Sequence, residues 1–407
     1  MKIAIIGAGP GGLTLANILK VKGIDFTIFE NEESITSRHQ GGTLDLHRET
    51  GQLALKEAGL FEAFKKYARP EGDFTIVTSV DGKTLRDENI GKTDAPTTVD
   101  SVGRPEIERS KLLEILLEGI GASAVTWKHK VQQVVKMEDG STEIEFTNGK
   151  TTREFDLVVG ADGAWSKVRN VVSSVKPHYS SVTLVEMWAE DVDKSHPTLA
   201  KYTGKGTNMM LDQDRCVMCQ RCGEDSVRLY ACLRIDQDWS TKIDWTTDVA
   251  AARENLVSEY FGDIGENTKQ AILSCTDNLI VRPLYMMPIG FTWENCPGVT
   301  LLGDSAHLMT PFGGEGVNLA MKDAIELAIA ISAAKSIPQL NKNVQKYEKD
   351  LFKRAKYYNS DTWDMLQLCF SKGGSEKISV MMEGGIMILV QMTASYLWKT
   401  LWSFFGY

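Results

Sequence analysis

The sequence predicts an α/β protein in two parts, a parallel-sheet nucleotide-binding domain and a domain built on an antiparallel sheet, followed by C-terminal helices. Three observations predict it. Short apolar, β-rich runs end in glycine at residues 2–6, 155–160 and 298–303. The first and last lead through glycine-rich turns into helically spaced apolar residues. Between about 176 and 290 the pattern changes to strand-like alternation at residues 181–188, 215–222 and 227–235, with helical stretches at 248–261 and 268–273.

The first run, Lys2-Ile3-Ala4-Ile5-Ile6, meets Gly7-Ala8-Gly9-Pro10-Gly11-Gly12. This is a G-x-G-x-x-G turn with Pro10 inside it. Helical spacing follows at Leu13, Leu15, Ala16, Ile18 and Leu19, and a second run, residues 26–29, ends at Glu30. Strand, turn, helix and acidic residue together make a Rossmann-like dinucleotide fingerprint. Gly7 permits the tight turn, and Gly9 lets backbone approach a pyrophosphate. Gly12 lets helix and strand pack, and Glu30 is placed for ribose hydroxyls.

The run at 298–302 ends in Gly303-Asp304-Ser305-Ala306-His307, where a carboxylate emerges at a strand tip. The loop Pro311-Phe312-Gly313-Gly314-Glu315-Gly316 then opens a helix near Val317-Asn318. Backbone N–H groups at a helix start favour an anionic or electron-rich ligand. Pro311, Gly314, Gly316, Val317 and Asn318 join Asp304 as cofactor-site candidates. His307 is expected to make a local hydrogen bond.

A third segment decides between dinucleotides. Phe155-Asp156-Leu157-Val158-Val159-Gly160 runs into Ala161-Asp162-Gly163-Ala164-Trp165-Ser166-Lys167-Val168-Arg169. The three segments, in this order and spacing, resemble the signature of single-component flavin monooxygenases related to para-hydroxybenzoate hydroxylase. Ser305 stands where Ala is usual, and Glu315 where Gln is usual. Glu315 would add negative charge near the flavin. Arg38 and Gly41-Gly42-Thr43-Leu44-Asp45-Leu46-His47 resemble, more closely, the tetracycline-inactivating flavin monooxygenases.

The resemblance implies an FAD-binding domain, a substrate domain and C-terminal helices. It implies FAD as cofactor and NADPH or NADH as transient reductant. It further implies oxygen addition at flavin C4a and hydroxylation of an electron-rich small molecule, with no catalytic side chain required. Asp162 belongs to the flavin signature. Gly42, Thr43, Leu44, Asp45 and Arg109 would contact FAD, and Arg38 would meet the nicotinamide cofactor. A flavin halogenase would carry a W-x-W-x-I-P motif, which is absent. An oxidase or reductase without oxygen insertion, and a non-catalytic flavin-binding protein, are the remaining alternatives.

Composition sets the outer bounds. The chain has 407 residues, 43% hydrophobic and 24% charged, enough for two domains. A net charge of -9 gives no basic footprint for nucleic acid. The apolar part of the N-terminus is too short for a signal peptide, which points to a cytoplasmic protein. The cysteines Cys216, Cys219 and Cys222 suggest a metal cluster. In a strand, however, Cys216 and Cys222 would point one way and Cys219 the other.

The expected FAD-binding domain takes residues 1–70, 100–175 and 285–340. The substrate domain takes 71–99 and 176–284, its antiparallel sheet expected as a roof over the flavin. Residues 341–407 form a C-terminal helical segment. Candidate substrate contacts are Glu186, Trp188, Met210, Met218, Arg221 and Phe312. The resembling tetracycline enzymes hold the drug with a Gln, an Arg and a His. Here Glu186, Asn208 and Leu229 or Tyr230 fall near those places, so an aromatic or polyketide-like substrate is favoured over tetracycline. Residues 378–405 are very apolar, and Gly373-Gly374-Ser375 before them reads as a hinge. That stretch is expected to pack on the protein, with peripheral membrane or partner contact as the alternative.

Overall fold

The computed structural model describes residues 1–37, 41–90, 98–99, 103–275 and 279–384. It divides into two compact units. The first takes 1–73, 94–181 and 283–366; the second takes 74–93, 182–282 and 367–407. Among the described residues, no segment from 341 onward stands by itself.

The first unit is built on a five-stranded sheet. Its spatial order is Val299–Leu301, Leu157–Gly160, Lys2–Ile6, Asp25–Phe29, Val125–Thr126, and every pairing is parallel. Four of these strands are the apolar runs read from the sequence. Ile3, Ile5, Leu157, Val158, Val159, Val299 and Leu301 are wholly buried. Such continuous runs suit parallel strands covered on both faces. Each fully buried Ile, Leu or Val contributes about 1.5–3 kcal/mol by leaving water.

Helix Pro10–Val21 starts on Pro10, whose missing N–H costs nothing at a helix start. Asn17 on this helix is buried, and its amide donates to the carbonyls of Leu13 (2.8 Å) and Leu116 (2.7 Å). That ties the helix to Arg109–Ile120. Smaller antiparallel pairings complete the unit, among them Thr43–Asp45 with Glu106–Glu108.

The long helix Ile337–Cys369 explains why residues 341–366 join this unit.

 Leu340, Val344, Tyr347, Leu351 and Ala355 recur at helical spacing and are buried in the core of the unit. The Tyr347 hydroxyl donates to the Leu301 carbonyl at 2.9 Å. The Glu348 carboxylate accepts from Trp293 Nε1 (3.1 Å), Thr300 Oγ1 (2.9 Å) and Asn295 Nδ2 (2.8 Å).

The second unit carries a seven-stranded sheet ordered Ile280–Met286, His178–Ala189, Ser226–Arg234, Arg215–Cys222, Thr207–Asp212, Thr75–Thr78, Thr84–Asp87. The hairpin pairings are antiparallel, as the alternation predicts. Thr207–Asp212 against Thr75–Thr78 is parallel, a departure from the expected all-antiparallel sheet. Residues 74–93 arrive as a separate excursion of the chain, so no short hairpin fixes their direction. One face packs under helices: Val185, Met187, Met210, Val217, Cys219, Leu229 and Ala231 meet Leu256, Phe261 and Ile272. Strand Arg215–Cys222 therefore sends Cys219 to this face and Cys216 and Cys222 to the other.

Gly373-Gly374-Ser375 is anchored rather than hinge-like. Gly373 takes φ +66°, a left-handed conformation suited to glycine, and starts helix Gly374–Met382. Ser375 is wholly buried. Its hydroxyl accepts from Leu211 N (2.8 Å) and lies 2.7 Å from the Thr78 carbonyl, to which it donates. Residues 385–407, which hold most of the apolar stretch, lie outside the described residues. Among the described residues no helix is long and apolar enough to cross a membrane.

Ser375→Ala is expected to lower stability by about 1–3 kcal/mol, because it strands the buried Leu211 N–H. Denaturant unfolding followed by circular dichroism measures this; an unchanged midpoint would restore the hinge reading.

Candidate functional site

The first glycine turn is closed on one side and open on the other. Gly7 has φ +109°, and a Cβ there would lie 2.4 Å from the Ala161 carbonyl oxygen. A Cβ at Gly12 would lie 2.2 Å from the Gly7 carbonyl oxygen. These two glycines serve packing. Gly9 differs: a Cβ there would meet nothing within 4 Å. Helix Pro10–Val21 begins beside it with no capping side chain and no acidic residue in its first turn. Open space at an uncapped helix start fits a pyrophosphate.

Glu30 does more than await a ribose. Its Oε2 accepts from Ala8 N (2.7 Å) and its Oε1 from Glu32 N (2.9 Å). A carboxylate has about four lone-pair sites, so acceptor capacity remains for ribose hydroxyls.

Asp304 follows strand Val299–Leu301 and is exposed. The protein crowded around it raises its pKa by desolvation, while the charges of His307, Arg109 and Arg169 work in the opposite direction. Arg109 reaches this neighbourhood through a two-stranded ladder. Thr43 pairs with Glu108 and Leu44 with Ile107, and Arg109 N donates to the Gly42 carbonyl at 3.2 Å. The Thr43 hydroxyl donates to Ile107 O (3.0 Å), so it is used inside the ladder.

The second glycine loop has a similar division of labour. Pro311 is exposed, Gly314 is left-handed at φ +68°, and Val317 is half-buried. A Cβ at Gly316 would meet nothing within 4 Å at the start of helix Gly316–Ser332. Asn318, read from the sequence as a cofactor contact, is instead wholly buried. Its amide nitrogen donates to the Asp45 carbonyl (2.9 Å), and its oxygen accepts from His47 N (2.8 Å) and Thr50 Oγ1 (3.1 Å). It clamps the 45–47 backbone to the helix.

Asp162 is likewise occupied locally, accepting from Ser166 Oγ (2.5 Å) and Lys167 N (2.6 Å). Sequence reading gave Arg169 no role. Its buried guanidinium donates to Ser305 O (3.0 Å) and Ala164 O (2.7 Å), joining two strand-tip loops. The Ser305 hydroxyl reaches the carbonyls of Gly160 (2.5 Å) and Leu302 (2.7 Å). Arg38 lies outside the described residues.

His307 makes the expected local bond, with Nε2 2.6 Å from Asp323 Oδ2. Asp323 also accepts from Gly303 N (2.9 Å) and Arg354 Nη2 (2.7 Å). Burial pulls the His307 pKa down, but the Asp323 carboxylate, helped by Asp304, outweighs it and leaves the pKa raised. Burial pushes Asp323 up, and His307 and Arg354 more than offset this, leaving it lowered.

In the second unit, pairing register sorts the substrate candidates. Glu186 faces Tyr230, Tyr230 faces Met218, and Trp188 faces Arg228, all on the sheet face away from the helices. Met210 is wholly buried on the helix-covered face, and Asn208 and Leu229 share that face. Arg221 also alternates to that side and pairs with Asp193 (2.7 Å) and Asp225 (2.6 Å). Neither Met210 nor Arg221 therefore joins Glu186, Trp188 and Met218. Phe312 belongs to the first unit, in the turn Pro311–Gly313.

Sequence reading missed Arg228. Its guanidinium lies 4.5 Å over the Trp188 ring and 3.7 Å from Glu186 Oε1. Only the strand register could have placed it. Glu186 Oε2 accepts from Arg282 Nε at 3.1 Å. Glu186 Oε1 is buried and has no hydrogen-bond partner.

Residues 1–271 and 293–356 match the family described as FAD binding domain. Monooxygenase asqM of Emericella nidulans is 28% identical over 446 residues, covering 94% of this chain and 98% of that one. Klebsiella pneumoniae HpxO, crystallised with FAD and uric acid, shares the fold at TM-score 0.76 and 19% identity, covering 98% of this chain and 97% of its own. Tetracycline destructase Tet(55) shares it at TM-score 0.70 and 18% identity, covering 94% and 95%.

Two outcomes follow from this geometry. Gly9→Ala should fold with a wild-type melting temperature yet lose at least about tenfold in FAD affinity, since one well-placed interaction is worth roughly 1.4 kcal/mol. Gly12→Ala should lose stability itself, by about 1–3 kcal/mol from overpacking. Equal behaviour of the two variants in flavin titration and thermal unfolding would contradict the division.

His307→Asn tests the buried pair through pH. A raised imidazole pKa stabilises the fold fully below the ordinary value of 6.5 and fades as pH rises through the raised one. A lowered Asp323 pKa stabilises above the ordinary 3.8 and fades as pH falls. The stability difference from wild type should therefore peak between those values, at about 3–5 kcal/mol, and shrink in alkaline buffer. Denaturant titrations at several pH values read it.

Proposed function

This chain belongs to the FAD binding domain family as an FAD-dependent monooxygenase, and from that premise we propose that its substrate is an electron-rich phenol or enol of aromatic or polyketide-like type. The observation that carries the proposal is Glu186 Oε1, buried without a hydrogen-bond partner on a sheet face that also presents Trp188, Met218, Arg228 and Tyr230. An unpartnered buried acceptor is costly, and a substrate hydroxyl that donates to it removes the cost. Arg228, stacked on Trp188, supplies positive charge beside that acceptor for an oxygen that gains negative character. The aromatic and thioether side chains suit a flat, apolar remainder.

FAD, when bound, supplies the redox chemistry by which NAD(P)H and O2 place one oxygen atom on the substrate and release the other as water. In this proposal the turn at Gly9-Pro10 holds the pyrophosphate, Glu30 the ribose, and Arg109 and Asp304 polar parts of the cofactor. The loop Pro311, Gly314, Gly316 and Val317 offers N–H groups at a helix start. Gly42, Leu44 and Asp45 line the adjoining strand, and Arg38 meets the nicotinamide cofactor. Gly7, Gly12, Thr43, Asp162 and Asn318 shape these loops from within. Phe312 stays a candidate substrate contact. The apolar C-terminal stretch is proposed to pack on the protein, with membrane contact as the alternative.

The test is a panel of phenols, polyketides and tetracyclines, scored by NADPH consumption and by product mass increased by one oxygen. A phenol or enol should give coupled product. Arg228→Met should keep full FAD content, because Glu186 retains Arg282, and raise KM about tenfold or more for loss of a charge-assisted contact. NADPH oxidation without product on every compound would favour a flavin oxidase instead.

A further inference from the structure

Both ring nitrogens of His47 face carboxylates. Nε2 lies 2.9 Å from Asp45 Oδ2, and Nδ1 lies 3.5 Å from Glu315 Oε2. His47 and Glu315 side chains are only 14% and 13% exposed, so water screens this contact poorly. Asn318 fixes the backbone on both sides, bonding Asp45 O and His47 N. Gly314 lies against the same carboxylate: a Cβ there would make an ordinary contact of 3.8 Å with the Asp45 oxygens.

A neutral imidazole has one N–H and one lone pair. With its N–H directed at Asp45, the lone pair on Nδ1 meets an oxygen of Glu315. One added proton, on Nδ1 or on Glu315, removes that conflict. Glutamine at 315 would remove it without a proton, because its amide N–H donates to Nδ1. The choice of Glu at this position therefore creates a protonation site that Gln would abolish.

We propose that Asp45, His47 and Glu315 form a one-proton site that fills in step with the two-electron reduction of FAD held by the adjoining loops. The proposal rests on the reading that those loops bind FAD. Hydride transfer from NAD(P)H delivers two electrons and one proton, and leaves NAD(P)⁺ and one more negative charge on the bound cofactor. The site then takes one proton from solvent, so the net charge of the region is unchanged. The surroundings favour a site poised to do so. Burial raises the Glu315 pKa, His47 and Arg104 pull it down, and Asp45 and Asp361 push it up, with a raised value as the result. Tyr358 also faces Glu315. A negative charge arriving nearby strengthens proton binding further.

The experiment measures FAD content first, then the flavin midpoint potential of the holoenzyme across about pH 5.5–9, for wild type, Glu315→Gln and His47→Gln. One extra proton per two electrons steepens the potential by about 30 mV per pH unit. Wild type should show this additional slope over part of the range, and both variants should lack it. Proton uptake counted with an indicator dye during dithionite reduction should fall by up to one per flavin in each variant. FAD-loaded proteins with equal slopes and equal proton counts overturn the proposal and leave the FAD reading standing. Wild-type protein that cannot be loaded with FAD overturns both. Should one variant fail to fold, the other and the wild-type proton count decide the matter alone.

Discussion

Backbone meets backbone at the tip of the parallel sheet, and the first unit is arranged around that contact. The Gly7 carbonyl lies where a Cβ of residue 12 would be, and the Ala161 carbonyl lies where a Cβ of residue 7 would be. Strand Lys2–Ile6, helix Pro10–Val21 and the tip of strand Leu157–Gly160 are therefore held closer than any side chain allows. The same rule recurs at Gly303, where a Cβ would lie 2.9 Å from Ala320 Cβ, and at Gly11, where it would lie 2.7 Å from Leu302. Close approach at these points brings two helix starts, at Pro10 and Gly316, to the strand tips. Each start lies beside a glycine, Gly9 or Gly316, at which a Cβ would meet nothing within 4 Å, so backbone N–H groups there have open space for a ligand.

Carboxylates in this unit hold loops before they hold anything else. Glu30 bonds two backbone N–H groups, Asp162 closes a turn through Ser166 and Lys167, and Asp323 gathers Gly303, His307 and Arg354. Charge-assisted bonds of this kind are stronger than neutral ones, and each carboxylate can accept several. Asp304 stands apart: it is exposed, with His307, Arg109 and Arg169 acting on it. The contrast between occupied and available acceptors separates residues that shape the loops from residues free to meet a ligand.

The second unit makes the same distinction with the two faces of one sheet. Its helix-covered face is built mainly of apolar side chains, which is what holds the sheet to its helices. The other face carries a buried glutamate, two arginines in reach of it and aromatic and sulfur side chains. Burying that carboxylate with one oxygen lacking a hydrogen bond is costly, and the proposed substrate hydroxyl would remove the cost.

The sequence alone determined the strand–turn–helix units of the first unit, because apolar runs, glycines and helical spacing are local patterns. Gly7, Gly9, Gly12, Asp304 and the loop at 311–316 were legible for that reason. It also determined that Cys216 and Cys219 face opposite ways, since a strand alternates. It did not determine the uses of Asn318, Asp162 and Thr43, whose side chains turn inward onto partners far away in the chain or hidden in a local turn. It misplaced Met210 and Arg221, because alternation along one strand says nothing of which face the helices will cover. Arg228 and the meeting of His47 with Glu315 were decided only by tertiary structure. Each depends on pairing register or on a contact between segments more than 40 residues apart, and hydrogen-bond ladders, not local propensity, fix such distances.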